Sequence, residues 1–113
     1  MITSYVTPQR SVLYLALVGP LNEYAANDLV QEYYERHARG LKQCVLDLSA
    51  ADYADADGLN ALHRIALLCE VDSIGFTVAC RGSLVEPEIR AGADRYWVAV
   101  AEGVDLPFLK KAV

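Results

Sequence analysis

Residues 44–65 read CVLDLSAADYADADGLNALHRI, and the change of pattern inside this stretch decides the fold. The run from Gln43 to Leu48 has the β-branched, apolar character of a central strand. From Gly58 the pattern changes: Leu59, Leu62, Ile65, Ala66 and Cys69 recur at helical spacing, which predicts an amphipathic helix over 58–71 with Asn60, His63 and Arg64 facing outward. Between the two lies an acidic loop. Asp57 stands immediately before the helical run, where its carboxylate is expected to accept hydrogen bonds from the first unpaired N–H groups and to meet the positive end of the helix dipole. Asp55 is expected to assist electrostatically or to hydrogen-bond within the loop.

Working outward, 2–7 reads as an edge strand ended by Pro8, and 11–18 (SVLYLALV) as a nearly continuous apolar strand, with 8–10 as the turn between them. Gly19-Pro20 is expected to stop the second strand. Asn22 then caps a helix running to about His37, with Ala26, Leu29, Val30 and Tyr33 toward the core and Gly40 closing it. Beyond the central helix, Gly75 opens a strand over 76–80, and a short helix lies between Leu84 and Ala91, beginning near Pro87 and limited by Gly92. A last strand is expected over 96–101 and a helical turn or two over 105–112. The order ββαβαβαβα predicts an α/β fold with a mixed, largely parallel sheet that begins with an antiparallel hairpin. The 113 residues are the size of one domain, 1–113.

Composition removes several function classes. With 54% hydrophobic and 22% charged residues the chain can build a core. A net charge of −5 and scattered Lys and Arg argue against nucleic acid as a partner. The N-terminus lacks a basic stretch followed by an apolar run, and no segment approaches the roughly 18 apolar residues of a membrane span, so a cytoplasmic location without direct membrane contact is expected. Cys44, Cys69 and Cys80 lack CxxC spacing and lie in apolar segments, where free cysteine behaves as a small buried hydrophobe; a redox pair is the alternative reading. Tyr33-Tyr34 and Tyr96-Trp97 read as core and edge packing.

The acids at 55 and 57 raise the question of chemistry. DYADADG resembles a calcium loop, but setting Gly58 at the sixth position puts Tyr53 where the first ligand belongs and Arg64 at the twelfth, so no metal is expected. DADG also matches the opening of the haloacid dehalogenase phosphatases, which would make the chain a small phosphate-handling enzyme using Asp55 and Asp57. Against that reading, 49–54 is expected to separate the strand from Asp55, and no second acidic cluster follows. The only histidines, His37 and His63, fall on outward helix faces, and no nucleophile elbow is present.

Two motifs carry a resemblance over the whole chain. Gly19, Leu21 and Asn22 fit a G-x-L-[DN] turn, while 45–49, Asp55, Gly58 and Leu59 fit an apolar strand ending in D-L-[ST] and a later D-[ST]-[ST]-G-L. This combination resembles the STAS family, the domain of bacterial anti-sigma-factor antagonists; from Ser83 onward only the order of elements matches. The resemblance implies a non-enzymatic interaction domain without cofactor, working by partner switching. Its partner would be an anti-sigma factor that is itself a switch-type kinase, or, as in other family members, the ATPase subunit of a phospholipid transporter; a homodimer is also open to it. The implied partner surface comprises Asn22, Glu23, Asp55, Asp57, Gly58, Leu59, Asn60 and His63. In antagonists of this family the second hydroxyl of the D-[ST]-[ST]-G motif is phosphorylated by the partner kinase, and here Ala56 and Asp57 occupy the two hydroxyl positions. Asp57 is thus the phosphoacceptor equivalent and cannot be phosphorylated as serine is.

Overall fold

Strand β1 (Ile2–Val6) pairs antiparallel with β2 (Val12–Leu21), and β3 (Gln43–Ala54), β4 (Gly75–Ala79) and β5 (Ala99–Val100) follow in parallel, giving one sheet in the order β1-β2-β3-β4-β5. The structure is a computed structural model that describes residues 1–7, 11–37, 40–92 and 99–100. Helix α1 (Glu23–Arg36) connects β2 to β3, α2 (Ala56–Val71) connects β3 to β4, and α3 (Glu86–Gly92) follows β4. Each parallel step needs a crossover, and in this chain each crossover carries a helix, as the alternating pattern requires.

The core lies between the two layers. Leu13, Leu15 and Leu17 of β2, Cys44, Leu46 and Leu48 of β3, and Val78 of β4 form one buried cluster with Leu29 and Tyr33 of α1 and Leu62, Ile65 and Cys69 of α2. Burial in β2 alternates with the two-residue period of the pleat: Leu13, Leu15 and Leu17 are buried, while Val12, Tyr14 and Ala16 are half-buried on the other face. Val85 and Ile89 bring the segment around α3 into the same cluster. Among the described residues no helix is long and apolar enough to cross a membrane.

Among the described residues the elements expected from the sequence as far as β5 are present, with shifted ends. β2 does not stop at Gly19-Pro20: it runs on to Leu21 through register shifts between Ala16 and Val18 and between Gly19 and Leu21. Such bulges are where a strand accommodates a proline, which has no N–H for the ladder. β3 is likewise six residues longer than 43–48, because 49–54 pairs with this prolonged end of β2, from Val18↔Ala50 to Leu21↔Ala54. The turn expected at 8–10 and the helical turns expected at 105–112 lie outside the described residues, as does all of the 96–101 strand except Ala99 and Val100.

Helix α2 ends in a Schellman arrangement: the N–H of Ile74 donates to Cys69 O at 2.7 Å and that of Ser73 to Glu70 O at 3.1 Å. Ser73 sits at the left-handed position with φ 59°, where glycine is the unstrained residue. Ser73→Gly is therefore expected to raise stability by about 0.5–1 kcal/mol, read as a higher urea midpoint at unchanged slope.

Candidate functional site

The same device is built twice at one end of the sheet. β2 and β3 finish side by side with Leu21 opposite Ala54, and the next residue of each, Asn22 and Asp55, turns the chain into a helix. Asn22 Oδ1 accepts the Ala25 N–H at 3.0 Å, and Asp55 Oδ1 accepts the Gly58 N–H at 2.8 Å. Both caps have extended backbone, as the position demands. The Asp55 N–H donates to Leu21 O at 3.2 Å and so ties the two turns together.

Asn22 is the cap expected from the sequence. Asp57 is not: α2 begins at Ala56, so Asp55 occupies the capping position and Asp57 lies inside the first turn. The frame is set by Gly58. A Cβ built on this residue would stand 1.9 Å from Leu21 O and 2.5 Å from Leu21 C, so only glycine allows α2 to start this close to the end of β2. With Gly58 fixed as the third helical residue, the residue three before it is Asp55. Asp57 can then act on the helix only through the dipole, a smaller effect that salt screens. Asp55→Ala is accordingly expected to cost about 1 kcal/mol in urea denaturation and Asp57→Ala only about 0.3 kcal/mol.

Between the first turns of α1 and α2 runs a groove of about 310 Å3 lined by Glu23, Ala26, Asn27, Asp57, Asn60 and Arg64. Glu23, Asp55, Asp57 and Asn60 are exposed, Asn22 is half-buried, and Gly58 is buried against Leu21. Leu59 and His63 belong to a different stripe. At 100° per residue they fall on the flank of α2 away from the groove; both are half-buried, and Leu59 packs against the core. His63 is thus not simply outward-facing. Of the surface expected from sequence, the structure gathers Glu23, Asp57 and Asn60 on one groove and sets Leu59 and His63 apart from it. Asn27 and Arg64 join the groove; their signal in the sequence is spacing alone, each four residues beyond Glu23 or Asn60 on a helix.

The extended β3 also changes the chemistry of Asp55. This residue follows the strand directly, so the expected separation by 49–54 does not hold. Its Oδ1 is engaged by the Gly58 N–H, and it is not among the residues lining the groove, whereas Asp57 is. Among the described residues, no group of three or more His, Cys, Asp or Glu side chains is arranged to hold a metal ion.

The D-L-S segment at the middle of β3 has a separate task. Asp47 Oδ1 accepts the Ser49 N–H at 2.9 Å and the Ser49 hydroxyl, while Tyr14 donates its hydroxyl to Oδ2. Burial and then this bond push the Tyr14 phenol well above the usual range, so it remains a donor. The lock joins β2 to β3 just below the bulged ends that carry the two caps.

A family model described as the STAS domain matches residues 5–93. The chain belongs to the STAS family. The match spans both caps, the groove and α3, and the folds of solved relatives agree with it. The anti-sigma factor antagonist SpoIIAA in its unphosphorylated form superposes with a TM-score of 0.70 over 99% of this chain and 97% of that one, at 8% identity. An anti-sigma factor antagonist from Mycobacterium paratuberculosis gives 0.66 over 98% and 93%, at 22% identity. A serine-to-glutamate variant of RsbS from Moorella thermoacetica gives 0.65 over 97% and 92%, at 18% identity. No curated protein matches the chain by sequence. The STAS fold thus accounts for the mixed sheet, the opening hairpin and the position of the two capped helices.

Proposed function

We propose that this chain, as one STAS domain over residues 1–113, is a cytoplasmic, non-enzymatic regulator of the anti-sigma-factor-antagonist type, docking reversibly on an anti-sigma factor or switch-type kinase. The docking face is the end of the sheet where Asn22, Glu23, Asp55, Asp57, Gly58 and Asn60 meet, extended along α2 by Leu59 and His63. The observation that carries this reading is the division of labour between the two acids. Asp55 holds the helix, so the Asp57 carboxylate is not consumed by the fold and is presented on the open groove beside Glu23 and Asn60. In the alternative phosphate-handling reading Asp55 would be the nucleophile, and capping leaves it poorly placed for that task.

Asp57 stands where the family's phosphorylatable hydroxyl belongs. A phosphoserine carries about −1.5 to −2 charges and three acceptor oxygens; an aspartate carries one charge and two oxygens, permanently. In this reading the chain carries a built-in, weakened form of the release signal. Capture of partners from a bacterial lysate, with native protein beside Asp57→Ser and Asp57→Ala and identification by mass, tests it. Both variants are expected to capture an ATPase-fold switch kinase more strongly than the native chain. Equal capture by all three would show that Asp57 sends no signal. Recovery of only the ATPase subunit of a lipid transporter would replace the sigma-factor assignment with the transporter one.

A further inference from the structure

The sheet ends on one side at β1, and the alternation of its ladder fixes which backbone groups that edge leaves open. The Val18 N–H donates to Met1 O and the Met1 amine to Val18 O, both at 2.9 Å, while the Thr7 N–H donates to Val12 O at 3.0 Å. Between these two pairs the register from Ile2↔Leu17 to Val6↔Leu13 is unbroken, so residues 1, 3, 5 and 7 turn their backbone groups toward β2. Ile2, Ser4 and Val6 therefore aim their N–H and C=O groups away from the sheet, and no further strand pairs with them among the described residues. Such an edge is ordinarily blunted by lysine, proline or a bulge. The sequence ITSYV carries neither charge nor proline, and its register is continuous.

The side chains beside that edge are acidic. Residues directly opposite in an antiparallel pair share a face, so Ile2, Ser4 and Val6 lie on the side of Leu17, Leu15 and Leu13, which is the helix side. There Ile2 and, from α1, Asp28, Gln31, Glu32 and Glu35 line a groove of about 330 Å3. Gln31 donates its amide to Glu35 Oε1 at 3.0 Å. Arg36 Nε lies 3.7 Å from Glu32 Oε2, too far for a hydrogen bond, and that buried oxygen has no hydrogen-bond partner among the described residues. We propose that the β1 edge is a second docking site, on another flank of α1 than the Asp57 groove, which takes an extended basic peptide segment as a sixth, antiparallel strand. Ile2, Ser4 and Val6 exchange backbone hydrogen bonds with alternate residues of the segment. The side chains of those residues point to the helix side, where lysine or arginine meets Asp28, Glu32 and Glu35. Charge decides against a second copy of this chain as the occupant, since two β1 edges joined about a two-fold axis would bring the same three carboxylates together twice. The proposal is independent of the sigma-factor assignment.

The probe is a fluorescent, end-blocked peptide of alternating valine and lysine, titrated with the native chain and read by anisotropy. Saturable binding is expected, weakened about tenfold by the combined Asp28→Asn, Glu32→Gln and Glu35→Gln variant, and lost when glutamate replaces lysine in the peptide. A chain of net charge −5 attracts any polycation, so backbone pairing is tested at constant charge. Methylating the lysine amide nitrogens, which face β1, is expected to abolish binding, whereas methylating the valine nitrogens, which face outward, retains it. Ser4→Pro removes the middle outward donor without breaking a bond to β2, and is expected to weaken binding about tenfold while the urea midpoint holds. Peptide methylation needs no protein variant and so decides the matter even if Ser4→Pro unfolds. On binding, the amides of Ile2, Ser4 and Val6 gain protection from hydrogen exchange. Absence of binding, equal binding of the lysine and glutamate peptides, or binding indifferent to lysine methylation would each overturn the proposal. So would protection confined to the Asp57 groove, or a dimer that protects the three β1 amides without peptide.

Discussion

Gly58→Ala is expected to lower stability by about 3 kcal/mol, even though alanine is the better helix former by about 1 kcal/mol. The new methyl group would lie 1.9 Å from Leu21 O, and the obstacle is backbone rather than a side chain that could turn aside. Leu21 O is itself held, because it accepts the Asp55 N–H and its residue is paired with Ala54 at the end of β2. Relief requires the first turn of α2 to lift away. That movement breaks the bond from Asp55 to Leu21 and disturbs the cap on Gly58, so a clash at one atom spreads to both helix starts. Gly75→Ala is the matched control: the nearest atom to its Cβ is 3.6 Å away, an ordinary contact, and a change below about 1 kcal/mol is expected. Urea denaturation of the two variants reads the difference directly. If Gly58→Ala were as mild as Gly75→Ala, the close approach that sets the capping frame would be disproved.

The same contact explains why the sequence could be read so far and no further. D-A-D-G offers two capping frames two residues apart, and local chemistry prefers the acid nearest the apolar run, which is Asp57. The choice is made by Leu21, more than thirty positions earlier, whose carbonyl admits only a glycine at the third helical position. Asn22 offered no such ambiguity, since no second capping residue stands in the same turn, and it was legible. The extension of β3 was hidden for a related reason. Ser49, Asp52 and Tyr53 look like loop residues, and the segment is a strand only because β2 continues opposite it through two bulges. By contrast, the order of elements as far as β5 follows from local periodicity, as does the centre of each helix's buried face, Ala26, Leu29 and Tyr33 on α1 and Leu62, Ile65 and Cys69 on α2, while Val30, Leu59 and Ala66 at the margins are half-buried. At the other end of the helices the Tyr33 hydroxyl donates to Asp72 Oδ2 at 2.7 Å, and His37 Nε2 lies 3.4 Å from the same oxygen. The cluster at Tyr33, Asp72 and His37 could not be seen from spacing, because it joins two helices whose ends meet only after the sheet has formed.

Two substitutions at Tyr33 separate the contributions of that cluster. Tyr33→Ala is expected to cost about 4 kcal/mol and Tyr33→Phe about 1 kcal/mol. The residue is fully buried at the end of α1, where its ring packs against the core beneath α2, so truncation to alanine leaves a cavity that the sheet below cannot collapse to fill. Phenylalanine keeps the volume and removes only the hydroxyl that donates to Asp72. The Asp72 side chain remains 33% exposed and His37 still lies beside it, so water and the imidazole can replace the lost donor and little is left unsatisfied. The two costs, each from a urea transition at constant slope, therefore measure packing and polar contributions apart. A phenylalanine variant as damaged as the alanine one would mean that the hydrogen bond to Asp72, rather than the ring, holds the ends of α1 and α2 together.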